Sequence, residues 1–301
     1  MSLIEKAIEM MRANDAAVPA SRARSTARSS SDPARLEVAP EPVVAPTVSI
    51  PVRKLLAVDR AALRAADYFP DAGCASRFAN YYRQIKRPIV RKAFGPGEPV
   101  ESRLVMVTSA LPGDGKTFTS INLALSMARE RDSSVLLVDA DVPKPNVSKI
   151  LRMQGEQGIL DALVDETLDP DSLVLRTDIP GLEVLASGTP VENASELLSS
   201  ARMKQIGLRL CNASPRRVVL FDAPPLLVSS EARALLSFPG QIVLVVRAGK
   251  TPKGAVRDAV DLIDEEKLTG LVLNEGHGGL NDGYYGYENY GADDGLGVSG
   301  G

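Results

Sequence analysis

RLVMVTSALPGDGKTFTS, residues 103–120, joins a continuous apolar run to a helical pattern through a short loop containing glycine, aspartate and lysine. A buried strand that leads through a Gly-Lys-Thr loop into a helix is an arrangement that binds nucleotide phosphates. The loop glycines let backbone N–H groups approach a di- or triphosphate closely. This segment therefore predicts a phosphate-binding loop, with the nucleotide-binding residues Pro112, Gly113, Asp114, Gly115, Lys116, Thr117 and Phe118.

Two side chains of the loop have specific expected roles. Lys116 should contact the β- and γ-phosphates of ATP, and the Thr117 hydroxyl should bind Mg²⁺. Compared with the pattern G-x-x-x-x-G-K-[ST], the first glycine is replaced by Ala110. A tight strand-to-helix turn with an incidental lysine is the alternative interpretation.

The sequence around this loop alternates apolar runs with amphipathic patterns. Further strands are predicted at 134–140, 182–187, 217–223, 241–248 and 268–274. Helical patterns lie between them, at 117–131, 195–210 and 252–266. Such alternation predicts an α/β fold, a doubly wound and mostly parallel P-loop sheet with helices on both faces.

The composition changes several times along the chain of 301 residues. An amphipathic helix is predicted at 1–15, and the Ala/Pro/Ser/Arg-rich segment 16–52 has the composition of a disordered linker. A helical segment is expected at 53–98 and the P-loop domain at 99–276. Residues 277–301 form a Gly-rich tail in which no core is predicted.

Three aspartates follow predicted strands. Asp139 and Asp141 end one strand and Asp222 ends another. Ligands of an open α/β sheet bind beyond the carboxyl ends of its strands, so these side chains and the loop should converge. We expect Thr117, Asp139 and Asp222 at the metal site and Asp141 as the acceptor of a proton. The sequence does not decide which role belongs to Asp139 and which to Asp141. The alternative function for Asp139 or Asp222, taken alone, is a carboxylate that caps a helix.

Composition excludes several functional classes. Two cysteines, Cys74 and Cys211, are too few for a disulfide framework, and the single histidine, His277, excludes histidine triads. No apolar run is long enough to span a bilayer, and the N-terminus lacks a signal-peptide pattern, so a cytoplasmic protein is expected. The basic residues are spread out without a dense run, so no nucleic acid partner is expected.

The loop, the VLLVDADVPKP strand and the RVVLFDAPPLL strand together resemble the bacterial tyrosine autokinases of polysaccharide export, in particular the type found in exosortase-associated exopolysaccharide clusters. LASGTPVENASELLSS (186–200) and LVVRAGKTPKGAVRDA (244–259) add to the resemblance, which covers about residues 78–291. A C-terminal tyrosine cluster is typical of this family. The corresponding residues are Tyr284, Tyr285, Tyr287 and Tyr290, four of the seven tyrosines of the chain.

The resemblance implies an ATP- and Mg²⁺-dependent kinase in which the lysine and the two aspartates Lys116, Asp139 and Asp141 are catalytic. The tail tyrosines would be phosphorylated by a neighbouring copy in a homo-oligomer. It also implies a separate membrane-bound regulator of polysaccharide chain length, a tyrosine phosphatase, and association with the inner membrane through that partner.

Two alternatives remain open on sequence alone, a partition-type regulatory ATPase that controls docking and a scaffold that binds nucleotide without turnover. Partition-type ATPases carry a signature lysine five positions before the loop lysine, where this chain has Leu111. The kinase family often assembles rings through an ExxRxxR motif. Its nearest equivalent here is Asn80, Arg83 and Lys86, in which the acid is replaced.

Overall fold

The computed structural model describes residues 54–65, 68 and 75–276. Within them an eight-stranded sheet has the order β1-β4-β5-β3-β6-β2-β7-β8. The strands are β1 (Leu55–Leu56), β2 (Leu104–Ser109), β3 (Ser134–Asp139), β4 (Leu175–Thr177), β5 (Leu182–Leu185), β6 (Arg217–Asp222), β7 (Gln241–Arg247) and β8 (Leu268–Asn274). Neighbouring strands are parallel except for the β4–β5 pair, which confirms the predicted mostly parallel sheet.

The helices connect successive strands and cover the sheet. They are α1 (Arg60–Ala65), α2 (Ala75–Ala93), α3 (Lys116–Met127), α4 (Asn146–Ile150), α5 (Ile159–Val164), α6 (Ala194–Ser199), α7 (Ala201–Asn212), α8 (Ser230–Leu235) and α9 (Lys253–Val260). Short 3-10 turns lie at Val100–Arg103 and Pro170–Leu173. Among the described residues no helix combines the length and the apolar character needed to cross a bilayer.

The central strands are buried on both faces, and their sequences are therefore continuous runs of apolar residues. Along β2, Leu104 and Met106 pack into a cluster with α5 to α9, while Val105 and Val107 pack into a second cluster with α1 to α4. Each face of the sheet therefore has its own hydrophobic core.

Two differences from the sequence expectation concern short elements. β1 and β4 were not predicted, because two and three residues are too few to show a period. The helical stretch expected at 195–210 is interrupted at Ser200, whose backbone is extended with ψ 156°. The Ser200 hydroxyl accepts a hydrogen bond from the backbone N–H of Met203, and so begins a new helix.

The segment that precedes the P-loop domain packs on the sheet. β1 pairs with β4 at the sheet edge, and Tyr82 and Ile89 of α2 are buried in the same cluster as residues of α3. The segments expected at 1–15, 16–52 and 277–301 lie outside the described residues.

The parallel strands bring the predicted functional residues to one edge. Asp139, the last residue of β3, is aligned with Asp222, the last residue of β6. Val107 of β2 is aligned with Asp222 on the other side, and the glycine-rich loop follows β2 directly. The loop and the aspartates therefore meet at the carboxyl ends of the strands.

Candidate active site

The loop between β2 and α3 has a backbone that favours glycine. Gly113 and Gly115 have φ angles of +86° and +97°, in the left-handed region where other residues are strained. Gly115 is the N-cap of α3, and no side chain caps this helix start. The first N–H groups of α3 therefore remain available to an anion, which the helix dipole also favours.

Asp114 ties the loop to a neighbouring strand. Its carboxylate accepts hydrogen bonds from the backbone N–H of Leu111 at 3.0 Å and from the Thr251 hydroxyl at 2.7 Å. The side-chain amide of Asn274, at the end of β8, donates to the Asp114 carbonyl at 3.0 Å. A Cβ atom added to Gly115 would lie 2.0 Å from the same amide nitrogen, so the loop and Asn274 fit closely.

Sequence reasoning did not identify Thr251 or Asn274 as site residues. The only signal at Asn274 is a polar residue that ends an apolar strand, the same signal that pointed to Asp139 and Asp222. Thr251 gives no such signal, because the turn after β7 brings it to the loop only in the folded chain.

Asp222 is held by two hydroxyls of α3. Thr117 donates to one carboxylate oxygen at 2.8 Å and Ser120 donates to the other at 2.9 Å. Asp222 is 0% exposed, and burial raises its pKa, partly offset by the charge of Lys116 and these hydrogen bonds. Ser120 was also missed by the sequence, because it lies one turn into the helix, beyond the loop motif.

Lys116 lies among the three aspartates. Its ammonium nitrogen is 2.5 Å from an Asp141 carboxylate oxygen and 3.9 Å from an Asp222 oxygen. Burial lowers the lysine pKa, but the attraction of Asp222, Asp141 and Asp139 outweighs it, so the pKa is raised and the lysine stays charged. This lysine is the expected phosphate contact, and here its partner is Asp141.

Asp139 has a different environment from Asp141. Its two oxygens accept backbone hydrogen bonds, from Asp141 at 3.3 Å and from Ser148 at 2.7 Å. Burial and the charge of Asp222 raise the Asp139 pKa to about 7. Asp139 thus fixes the loop after β3 to the start of α4, and Ser148 in turn accepts a hydrogen bond from the Ser187 N–H.

The donors at this edge suit a magnesium ion. Thr117 and Asp222 present adjacent oxygen atoms, the type of ligand that Mg²⁺ prefers. Among the described residues, Lys116 is the one cation paired with the three buried acids. Within the described part of the chain, no group of three His, Cys, Asp or Glu side chains could hold a metal by itself. A metal here would therefore depend on few protein ligands together with phosphate and water, as is usual for Mg²⁺.

Phe118, the last of the predicted nucleotide-binding residues, packs in an aromatic cluster. Its ring centroid lies 5.9 Å from that of Tyr68 and 5.8 Å from that of Phe78. Burial and the charge of Asp222 raise the pKa of Tyr68, whose ring packs against Phe118. Pro112 lies in the loop between Leu111 and Gly113 and is exposed to solvent.

The three residues predicted for ring assembly make contacts within their own chain. Arg83 donates to the Asn80 side chain at 2.8 Å on the same helix. Lys86 is 8% exposed, bonds the Ser126 carbonyl at 3.0 Å and pairs with Glu130. Asn80 and Arg83 remain exposed on α2. The predicted acceptors Tyr284, Tyr285, Tyr287 and Tyr290 lie outside the described residues.

Comparison with known proteins identifies the family of the chain. Residues 102–261 match the family described as AAA domain. The chain is similar to the tyrosine-protein kinase YwqD of Bacillus subtilis (strain 168), with 35% identity over 176 residues that cover 58% of this chain and 73% of YwqD. It is also similar to the solved structure of the VpsO kinase domain, with 29% identity, a TM-score of 0.53, and coverage of 65% of this chain and 95% of that domain.

A longer relative comes from polysaccharide transport. The succinoglycan biosynthesis transport protein ExoP of Rhizobium meliloti (strain 1021) is 28% identical over 204 residues. The match covers 66% of this chain but only 25% of ExoP. The chain thus spans most of YwqD and about a quarter of ExoP.

Proposed function

The chain belongs to the bacterial tyrosine-protein kinases, and we propose that it transfers the γ-phosphoryl group of ATP to tyrosines of its own C-terminal tail. The observation that carries the proposal is the position of Lys116 at the first turn of α3, between Asp141 and Asp222. A nucleotide phosphate at the loop would meet this lysine, the uncapped helix start and the hydroxyl of Thr117.

In the proposed reaction, the bond between the γ-phosphorus and the oxygen shared with the β-phosphate breaks and ADP leaves. A new bond forms between the γ-phosphorus and the tyrosine oxygen, and the phenolic proton passes to the Asp141 carboxylate. Phosphoryl transfer depends mainly on alignment and charge neutralisation, so a carboxylate is an adequate acceptor. Lys116 must release Asp141 before this step, and the β- and γ-phosphates of bound ATP offer it stronger partners.

Mg²⁺ would supply positive charge to the phosphate oxygens, and Thr117 and Asp222 are the residues that would hold it. Ser120 keeps Asp222 in place through its second oxygen. Asp139 supports the site by fixing the segment that carries Asp141, since its own oxygens are both engaged by backbone N–H groups. This geometry favours Asp141 over Asp139 as the proton acceptor.

The proposed acceptors are Tyr284, Tyr285, Tyr287 and Tyr290, phosphorylated by a neighbouring subunit of a homo-oligomer. A mixing experiment tests the route. A Lys116→Met chain with an intact tail is incubated with Mg-ATP and an otherwise intact chain truncated after Gly276, so that the tail and the active loop are on different molecules. Phosphotyrosine on the Lys116→Met chain is expected, and its absence in the mixture, when the intact chain does label itself, would show transfer within one chain.

The proposed setting is exopolysaccharide biosynthesis and export. ExoP carries a match to this chain within a transport protein, and the sequence resembles the kinases of polysaccharide export. We place the chain at the inner membrane through a separate membrane-bound regulator of polymer length, with a tyrosine phosphatase to reset the tail. Phosphates on adjacent tyrosines of an acidic tail would repel one another and weaken assembly.

The activity is tested with purified protein, Mg-ATP and a phosphotyrosine-specific antibody or mass spectrometry. Phosphotyrosine is expected on the intact chain and not on a chain whose four tail tyrosines are changed to Phe, which should still hydrolyse ATP. A truncation after Gly276 is a useful second control because it keeps Asn274 and the ion pair between Arg247 and Glu275. ATP hydrolysis without phosphotyrosine, with and without a cytoplasmic segment of the membrane partner, would favour the regulatory ATPase instead.

A further inference from the structure

The C-terminal tail leaves the folded domain beside the phosphate loop. β8 ends at Asn274, whose side-chain amide donates to the Asp114 carbonyl at 3.0 Å, and a Cβ atom on Gly115 would lie 2.0 Å from the same amide nitrogen. We call residues 274–276, the last that the structure describes, the tail root. The tail root therefore begins in direct contact with the loop that would hold the nucleotide.

Arg247 holds the tail root from the neighbouring strand. It ends β7 and is aligned with Asn274 in the sheet, and the N–H of Ala248 donates to the Asn274 carbonyl at 2.8 Å. The Nε atom of Arg247 donates to the Glu275 carboxylate at 2.7 Å. Both side chains of this ion pair are partly exposed, and such pairs stabilise a structure only slightly. Glu275 is thus held by a contact that is easily broken.

A second set of contacts connects Arg247 with the same residue of the loop. The backbone N–H of Arg247 donates to the Thr251 hydroxyl at 2.9 Å, and this hydroxyl donates to the Asp114 carboxylate at 2.7 Å. Asp114 is therefore fixed at its carbonyl by Asn274 and at its carboxylate by Thr251. Because Asp114 lies between the two loop glycines, a shift of either contact would move the N–H groups that face a phosphate.

Glu275 has an unfavourable backbone conformation. Its φ angle of +55° lies in the left-handed region, which costs free energy for a residue with a side chain but not for glycine. The ion pair with Arg247 offsets part of this cost. The cost of the left-handed conformation and the stabilisation by a partly exposed ion pair are both small, so a modest change in free energy is enough to open the tail root.

We propose that the tail root couples engagement of the tail to nucleotide binding. While Glu275 is paired with Arg247, Asn274 and Thr251 hold the phosphate loop in the form that binds nucleotide. When the active site of a second copy takes up the tail, Glu275 leaves the left-handed conformation, Asn274 withdraws from the loop, and nucleotide is bound more weakly. The coupling rests on the proposed function, because both concern the nucleotide at this loop.

Coupling between two binding events is reciprocal. A nucleotide at the loop would hold the tail root closed, whereas a copy that has released its ADP would present its tail more readily. A copy would therefore act as phosphate donor while its loop is filled and as acceptor while its loop is empty. The tail root would thus make the copies alternate between the two roles.

Two substitutions at one position test the part played by the strained backbone. Binding of a fluorescent ADP analogue to the full chain is measured. Glu275→Gln loses the ion pair but keeps the strain, so the root should open and the affinity should fall about two- to fivefold. Glu275→Gly also loses the ion pair, but glycine adopts a positive φ without strain, so its affinity should stay close to that of the unmodified chain. Both variants remove the same charge, so the difference between them reports the strain alone.

Arg152 provides the matched control. It is also a non-glycine residue with a positive φ, +58°, and it forms a partly exposed ion pair, with Asp59 at 3.0 Å. Its described partner thus precedes α1 and does not belong to the phosphate loop. Arg152→Gln and Arg152→Gly should therefore leave the affinity for ADP unchanged.

Engagement of the tail is tested by comparing the full chain with a chain truncated after Gly276, which keeps the tail root but has no tail to be taken up. A higher protein concentration favours uptake of tails by neighbouring copies, so it should weaken ADP binding to the full chain and not to the truncated chain. Hydrogen–deuterium exchange of residues 272–276 measures the reciprocal effect. Saturating ADP should slow this exchange in the unmodified chain, and less so in Glu275→Gln.

Three results would overturn the proposal. The first is equal ADP affinity of Glu275→Gln and Glu275→Gly, and the second is an exchange rate at the tail root that ADP does not change. The third is the same concentration dependence in the full and truncated chains. None of these measurements needs phosphoryl transfer. A chain that forms phosphotyrosine without the coupling, and a chain that shows the coupling without forming phosphotyrosine, are therefore distinguishable results.

Discussion

The two ends of the sheet differ in whether their buried charges are neutralised by neighbouring residues. At the amino ends of the strands, Arg217 is 2% exposed and donates hydrogen bonds to Asp171 and Glu183 at 2.8 and 2.6 Å. It also donates to the Leu210 carbonyl at 2.9 Å. One buried cation therefore meets two carboxylates that remain partly exposed to solvent, and its charge is fully compensated.

At the carboxyl ends, Asp139, Asp141 and Asp222 are almost completely buried, and the cation that pairs with them among the described residues is Lys116. Burial raises the pKa of Asp139 to about 7, and it also raises the pKa of Asp222. Negative charge exceeds positive charge here, which is unfavourable for the fold without a ligand. The comparison teaches that compensated charge stabilises the sheet, whereas the excess of negative charge lies where we propose that a cation and a nucleotide bind.

The largest expected effect is on catalysis at the carboxyl end. Lys116→Met should lower the rate of phosphotyrosine formation by about 10²–10³-fold, because one preorganised contact to the transferred phosphate is removed. The rate is measured from the time course of tail phosphorylation in Mg-ATP. Lys149→Met, an exposed lysine of α4, is the control and should keep the rate of the unmodified chain. A small loss in Lys116→Met would mean that the buried lysine has a structural role like that of Arg217.

Arg217 should show the reverse pattern. Arg217→Leu removes the buried cation that contacts Asp171 and Glu183 and should lower the free energy of unfolding by about 3 kcal/mol. Urea denaturation measures this loss, while the phosphorylation rate per folded molecule should stay unchanged. Lys204→Leu breaks the exposed pair with Glu101 and should cost less than about 1 kcal/mol. Equal losses in the two variants would contradict the distinction between buried and exposed pairs.

The sequence was sufficient to predict the central part of the fold. Five of the six longer strands are largely buried, and β8 is a partly exposed edge strand, yet the apolar run of each is visible without the structure. Strands of two or three residues, β1 and β4, show no such pattern because pairing with neighbours defines them. Ser200 illustrates the same limit, since a single extended residue divides a helical pattern that is otherwise continuous.

The candidate site was also predicted only in part from the sequence. Lys116, Thr117, Asp139, Asp141 and Asp222 follow strands or the glycine loop, so position in the sequence indicated them. Their individual contacts did not follow, because Asp139 and Asp141 differ only in which backbone and side-chain atoms the folded loop brings to them. Partners distant in sequence become adjacent only through the order of the strands.

The pH dependence of the free energy of unfolding should reveal the excess of negative charge at the carboxyl ends of the strands. The folded Asp139 has a pKa of about 7 and the unfolded one is near 4, so between these values the folded protein binds a proton that the unfolded chain lacks. Stability contributed by this proton is complete below pH 4 and is lost as the pH rises through 7, and it amounts to about 4 kcal/mol. Asp139→Asn cannot titrate and should flatten this part of the curve, measured by urea denaturation from pH 4.5 to 8.

Asp258→Asn is the control, because Asp258 is exposed on α9 and its removal should leave the slope unchanged. If Asp139→Asn and the unmodified chain lose stability in parallel over this range, the acidic end does not carry the strain that the comparison assigns to it.

The smallest expected effect concerns the contact that fixes the loop. Asn274→Ala removes the hydrogen bond to the Asp114 carbonyl, a net contribution of about 0.5–1.5 kcal/mol, and should weaken nucleotide binding by about two- to tenfold. Thr269 lies on the same strand, at the opposite end of the sheet, where its hydroxyl donates to the Gln241 side chain at 3.0 Å. Thr269→Val therefore removes a similar hydrogen bond far from the loop. Both variants should lower the thermal transition slightly, but titration with a fluorescent nucleotide should separate them. An equal loss of nucleotide affinity would mean that Asn274 acts through general stability, whereas a loss in Asn274→Ala alone would show that the loop is positioned from β8.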